Sequence, residues 1–399
     1  MSMHQAPESF RTRIAIFGRT NAGKSSLINA ITGQGASIVS DQPGTTTDPV
    51  KRSMELLPLG PVTLIDTAGL DDQTPLGQLR MQRSLKELSA ANIVLFVCDA
   101  NLSPSESERG FLSTLRGKPT IIAANKCDLG QHTLPLWKRE SERLNAPCLV
   151  VSADKSTNIE ALKAAIAAAL PESEAHGLVR DLVPPGKCCV LVVPIDAGAP
   201  KGRLILPQQQ VIRDLLEGGS MPIVCRDSEY PAVLGQLRAL PALVVTDSQV
   251  FPAVAKDTPN SVPLTSFSIL FARFKGELST LSEGAKTIPQ LQDGDEVLIS
   301  EGCTHHRQCD DIGTKKIPAL LQAHTGKQLR FSFTSGGTFT DVPSRYRLIV
   351  HCGACMLTES QMKVRIAQTE NHRVPIVNYG ILIAQLNGIL PRALAPFGL

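Results

Sequence analysis

The stretch "GRTNAGKSS", Gly18 to Ser26, follows directly on the apolar run Ile14, Ala15, Ile16, Phe17 and opens the helical pattern "SSLINAITG". Gly18 to Ser25 fits G-x-x-x-x-G-K-S, and a strand before with a helix after is the context in which that spacing holds phosphate. Glycines let successive backbone N–H groups face an anion at a helix N-terminus. Lys24 then reaches the β and γ oxygens, and the Ser25 hydroxyl is a ligand for Mg²⁺. The expected cradle is Gly18, Arg19, Asn21, Ala22, Gly23, Lys24, Ser25 and Ser26.

Three further stretches sit at the ends of β-rich apolar runs. "DTAG", Asp66 to Gly69, puts a carboxylate near Mg²⁺ and the Gly69 amide near the γ-phosphate. "NKCD", Asn125 to Asp128 with Lys126 inside it, supplies a carboxylate that can accept both guanine N1–H and the guanine amino group. Adenine offers an acceptor at N1 and would leave Asp128 unpaired, so the base expected is guanine. "SAD", Ser152 to Asp154, offers the Ala153 amide to guanine O6. Four such elements in this order make a GTPase domain, with GTP and GDP as its ligands and Lys24 and Gly69 as catalytic groups.

The runs "RIAIF", "VTLID", "NIVLFVCDA", "TIIAAN" and "CLVVS" alternate with helical patterns, which predicts a doubly wound parallel sheet closed by the helix ending near Pro171. A second α/β segment runs from "GKCCVLVVPI" to "ALVVT", and the Pro-rich "KDTPNSVPLTS" marks its end. A third α/β unit follows from Ser266. The expected boundaries are 1–172 for the GTPase domain, 173–262 for a small middle domain and 263–399 for the last.

With 399 residues the chain suits two or three domains, and 42% apolar with 19% charged residues is ordinary for a globular protein. Net charge is +3, without a Lys/Arg block longer than a pair, and only 4% of residues are aromatic. That composition gives no footprint for nucleic acid, and none is expected as a partner. "MSMHQAPESFRTR" has no apolar leader core and no membrane-length apolar run occurs, so the chain is expected in the cytoplasm with its ten cysteines reduced. Cys98, Cys148, Cys188, Cys189 and Cys225 sit in or beside Val/Ile/Leu runs and are read as packing groups.

The remaining pattern is different. Cys303 and His305 follow the strand "EVLIS"; 45 residues on, His351, Cys352 and Cys355 follow the strand "YRLIV". Both halves fall at carboxyl ends of strands, where open α/β sheets place ligands. Three thiols with imidazoles suit a soft metal, either a closed zinc site or a [4Fe-4S] cluster. His306, Cys309 and His324 lie nearby without a second metal spacing and are read as bystanders.

"GRTNAGKSS", "PGTTTD", "DTAGL" and "NKCD" resemble the Era/MnmE branch of GTPases. That resemblance puts Thr46 at the switch I position that caps Mg²⁺, beside Ser25 and Asp66, and adds Thr46 to the catalytic set. It puts Leu70 where Ras-like proteins carry a water-orienting glutamine, and Asn21 where this branch binds K⁺. A GTPase of this kind followed by C-x-H and H-C-x-x-C resembles the HydF family of [FeFe]-hydrogenase maturation GTPases. The resemblance implies a middle dimerisation domain, a homodimer, and a [4Fe-4S] cluster on Cys303, Cys352 and Cys355 in an α/β cluster domain. Glu301, His305 and His351 are left as candidates for the fourth ligand. It also implies a diiron subcluster as cargo, received from the radical SAM maturases HydE and HydG and delivered to apo-[FeFe]-hydrogenase. The rival reading is an Era/MnmE-type GTPase acting on ribosome or tRNA, its C-terminal unit a zinc-stabilised module.

Overall fold

The computed structural model describes residues 11–33, 50–56, 59–71, 84–85, 87–88, 90–169, 177–195, 204–302, 312–336, 339–354 and 356–399. Thr46, Cys303, His305 and Cys355, with the bystanders His306 and Cys309, lie outside them. Two compact units are present, residues 1–173 and 174–399.

The first unit carries a six-stranded sheet of β1 (Thr12–Phe17), β2 (Val50–Leu56), β3 (Gly60–Asp66), β4 (Ile93–Asp99), β5 (Thr120–Asn125) and β6 (Cys148–Val150) in the order β2-β3-β1-β4-β5-β6. All neighbours are parallel except β2, which runs antiparallel to β3 at the edge. Ile14 and Ile16 pack to one face with Leu27, Ile28 and Leu162, while Ala15 and Phe17 pack to the other with Phe96 and Trp137. Burial on both faces is why these strands read as unbroken apolar runs; each such side chain contributes about 1.5–3 kcal/mol. The buried Trp137 indole N–H donates to the Leu102 carbonyl at 2.9 Å.

The second unit holds two parallel four-stranded sheets. One has β7 (Cys188–Val192), β8 (Met221–Cys225), β9 (Leu243–Thr246) and β10 (Leu264–Ser266) in the order β10-β9-β7-β8. The stretch read as a terminal linker therefore carries the sheet on to Ser266, because Leu264–Ser266 pairs with Val244–Thr246. The other has β11 (Glu296–Glu301), β12 (Arg330–Ser335), β13 (Leu348–His351) and β14 (Ile376–Asn378) in the order β12-β11-β13-β14. One apolar core runs through both sheets, from Val190 to Leu394. The helical pattern "FSILFARFKGELSTL" is two helices, Phe267–Lys275 and Leu278–Ala285, parted at Gly276. Among the described residues no helix is long and apolar enough to cross a membrane.

Candidate functional site

In the first unit the loop after β1 is shaped by glycine. Gly18 and Gly23 have φ of 155° and 93°, and a Cβ on Gly18 would meet the Val97 carbonyl oxygen at 2.1 Å. Gly23 leads into the helix Lys24–Thr32, and its Cβ would fall 2.3 Å from Asn125 Nδ2. Only a bare backbone fits there.

Lys24 is buried and its Nζ donates to the Gly18 and Arg19 carbonyls at 3.1 and 2.9 Å. Burial lowers its pKa, against the pull of Asp66 and Asp71. Ser25 Oγ donates to Asp66 Oδ2 at 2.7 Å. A hydroxyl and a carboxylate in contact are the hard oxygen donors that Mg²⁺ takes, so the residues present fit that ion.

The base-facing loops are tied to the phosphate loop through one side chain. Buried Asn125 donates from Nδ2 to the Ala22 carbonyl at 3.0 Å and accepts from the Ala153 amide at 3.0 Å through Oδ1. Asp128 Oδ1 accepts from Ser152 Oγ at 2.6 Å, and Ser152 Oγ accepts from the Lys155 amide. Lys126, at φ 63°, pairs with Asp99 at 3.0 Å. Burial pushes the Asp99 carboxyl up, but the Asn101 amide and Lys126 together hold it below the usual range. The structure thus gathers the "NKCD" and "SAD" residues beside Ala22. Arg19 pairs with buried Glu108, which caps the helix Glu106–Thr114 through Ser105.

Gly69 lies on Thr20, where a Cβ would come within 2.2 Å of Thr20 Oγ1 and 2.8 Å of Thr20 N. The Leu70 amide donates to the Gly18 carbonyl at 3.2 Å. The residue after it, Asp71, accepts from the Thr20 amide; the motif reading gave this carboxylate no role, because it stands one position past "DTAGL".

In the second unit β11 and β13 are adjacent, with Ser300 opposite His351. At their carboxyl ends the Gly302 amide, from the residue after β11, donates to Cys352 Sγ at 3.1 Å. A second amide, Ala354 N, reaches the same sulfur at 3.4 Å. His351 is fully buried; its Nδ1 is 2.9 Å from the Cys352 carbonyl and its Nε2 is 2.8 Å from Arg365 Nη1. Burial first, then Arg365, pushes its pKa down to about 3, so the ring is neutral, with Nδ1–H donating and Nε2 accepting. Both ring nitrogens are occupied in this arrangement. Glu301 is buried and accepts from Tyr379 Oη at 3.3 Å. Among the described residues no group of three or more His, Cys, Asp or Glu side chains gathers to hold a metal. The expected cluster ligands Cys303 and Cys355 and the candidate His305 lie outside the described residues. A sulfur that accepts two amide N–H groups beside a buried guanidinium is suited to act as a thiolate ligand.

Comparison with known proteins covers nearly the whole chain. Residues 13–126 match the family model described as 50S ribosome-binding GTPase. Among relatives, the tRNA modification GTPase MnmE of Moorella thermoacetica is 41% identical over 155 residues, 38% of this chain and 33% of that protein. The GTPase Der of Mesoplasma florum is 35% identical over 184 residues, 41% of this chain and 42% of that protein. The chain thus spans about a third of the length of that MnmE relative. Among solved structures, Era of Aquifex aeolicus matches at 20% identity with a TM-score of 0.35, over 54% of this chain and 92% of that one. The G domain of the T. maritima FeoB iron transporter matches at 22% identity with a TM-score of 0.33, over 40% and 99%. Residues 178–276 match the hydrogen maturase F dimerization domain and residues 279–396 its tetramerization domain, and these two stretches take in more than half of the chain. Behind a P-loop GTPase domain, that pair of domains makes the chain a member of the HydF family.

Proposed function

We propose that this chain hydrolyses GTP to GDP and phosphate and serves in the cytoplasm as the scaffold that carries a diiron subcluster to apo-[FeFe]-hydrogenase. The observation that carries the reading is the contact of Gly302 N with Cys352 Sγ, which ties the end of β11 to a cysteine of the pattern inside a stretch that matches a hydrogen maturase F domain. Cys303, Cys352 and Cys355 would hold a [4Fe-4S] cluster, with Glu301, His305 or His351 at the fourth iron. That cluster, when bound, offers one iron without a thiolate, to which an incoming metal fragment can attach. HydE and HydG are the proposed donors. We propose 1–172 as one functional division and carry the second, expected to end at 262, through β10 to Ser266, with the last division following it and a homodimer or a higher assembly built through these two.

In the nucleotide site, the loop amides of Gly18 to Ser26 and Lys24 bind the phosphates, and Asp128 with Ala153 reads guanine. Ser25, Asp66 and Thr46 would hold Mg²⁺, which neutralises charge on the β and γ oxygens. The Lys24 ammonium gives two of its three N–H groups to the Gly18 and Arg19 carbonyls, which leaves one for a phosphate oxygen. The γ-phosphate would draw the Gly69 amide and the Thr46 segment together, an order change that gates partner contacts. K⁺ near Asn21 supplies positive charge where an arginine finger would stand, and the Leu70 side chain offers no amide to orient the attacking water.

The ribosome or tRNA reading draws on relatives whose matches take in 38% and 41% of this chain. The discriminating experiment is anaerobic purification followed by loading with the radical SAM maturases and mixing with apo-hydrogenase. A brown protein that confers hydrogenase activity is the expected result. A colourless zinc protein that confers none overturns the reading.

A further inference from the structure

Two buried cations stand at the carboxyl end of β13, Lys275 on the loop that follows it and Arg365 on its last residue, His351. Lys275, the last residue of the helix Phe267–Lys275, is 2% exposed, and its Nζ donates to the Ala354 and Leu357 carbonyls at 3.1 and 2.8 Å. Ala354 itself has φ 53°, so the chain between Cys352 and Cys355 turns through a left-handed residue whose carbonyl the ammonium holds. Arg365, in the helix Glu359–Asn371, is 5% exposed and binds Ser300 Oγ at 3.4 Å, His351 Nε2 at 2.8 Å and the Gly336 carbonyl at 2.9 Å. Its guanidinium also stacks 5.1 Å from the Phe339 ring centroid.

The described partners of Arg365 are all neutral. A guanidinium withdrawn from water is costly unless a negative charge offsets it, and among the described residues no carboxylate pairs with it. Arg365 Nη1 holds the ring of His351, the residue before Cys352, so a thiolate at Cys352 would lie in its electrostatic reach. A cubane held by three thiolates is net anionic and takes a further negative charge on one-electron reduction. Cations fixed beside its sulfurs favour the reduced form and hold the cluster more tightly.

We propose that Lys275 and Arg365 are positioning residues for the cluster: Lys275 holds the Ala354 and Leu357 carbonyls, Arg365 holds His351 beside Cys352, and the two supply the fixed positive charge that sets its reduction potential. The proposal rests on the cluster reading above. Its chemistry is a one-electron step, in which dithionite gives an electron to the oxidised cluster and no bond is made or broken.

The test compares Lys275→Met and Arg365→Gln, which remove charge, with Lys275→Arg and Arg365→Lys, which keep it. Each full-length chain is reconstituted anaerobically, and iron content, EPR signal and the potentiometric midpoint are measured. The expected result is that the charge-removing variants release iron, or keep it with a reduced-to-oxidised ratio about tenfold lower at a given potential, about 59 mV more negative for a one-electron couple. The charge-keeping variants stay near the unsubstituted chain in both. Full iron and an unchanged midpoint in Lys275→Met and Arg365→Gln would overturn the proposal. So would charge-keeping variants that fall as far as the charge-removing ones, since shape alone would then explain the loss. An unsubstituted chain that takes up no iron would overturn the cluster reading instead.

Discussion

The Thr20 amide donates to Asp71 Oδ1 at 2.7 Å, so a carboxylate from the segment after β3 rests on the loop that is built to hold phosphate. Burial pushes the Asp71 carboxyl up, but the hydrogen bonds from Thr20 and the nearby Arg19 hold it below the usual carboxylate range. It is therefore an anion on the phosphate-binding loop, and its charge opposes the approach of a γ-phosphate. Asp71→Asn should raise affinity for a non-hydrolysable GTP analogue about five-fold, roughly 1 kcal/mol, and leave GDP affinity alone. Titration calorimetry with both nucleotides checks this; an equal gain for GDP would show that no competition with the γ-phosphate exists.

Asp128 accepts from Ser152 Oγ, and in the proposed reading its carboxylate faces the base. Asp128→Asn should weaken GTP binding by about 2–5 kcal/mol, because an amide cannot accept from both guanine donors. Xanthine, with a carbonyl in place of the amino group, matches an amide, so the variant should prefer XTP to GTP. Equal affinity for GTP and ATP in the unsubstituted chain would refute the assignment.

Asn21 sits at φ 62° in the phosphate loop, and Leu70 cannot orient water. GTP turnover should be faster in K⁺ than in Na⁺, and Asn21→Ala should abolish the difference. Phosphate release measured in the two salts at equal ionic strength decides the point; identical rates rule out a K⁺ site.

Cys303→Ala, Cys352→Ala and Cys355→Ala should each lose most iron and keep GTP binding, since the nucleotide residues belong to the other unit. His305→Ala and His351→Ala should retain a cluster with altered EPR. Iron assay and EPR on the five variants are the check, and a cysteine variant with full iron and an unchanged spectrum would end the three-thiolate assignment.

The P-loop sheet was legible because its central strands are buried on both faces and because each nucleotide motif sits at a strand end. β2 was not: in "VKRSMEL" the edge position leaves most side chains partly exposed, and the polar residues hide the strand. β10 and β14 are three residues each, too short for any period to register, and β10 lies beside Pro263. In the candidate metal site the cysteines announced themselves by spacing. Lys275 and Arg365 did not, since each sits in an ordinary helical pattern and meets its partners only when the helix Phe267–Lys275 packs on the loop after β13 and the helix Glu359–Asn371 packs on His351. The tetramerization match was equally hidden, because a contact between copies leaves no periodic mark in one chain.

The apolar core that runs unbroken from Val190 to Leu394 has a mechanical consequence. Ile269 and Ala272, on the helix that leads out of β10, belong to the same cluster as Ile299 and Val350 of the cysteine-bearing sheet. Cutting the chain between the two sheets would leave each fragment with a bare greasy face, prone to clump. Residues 174–399 should melt as a single calorimetric event, and a load placed on one sheet is borne by the other.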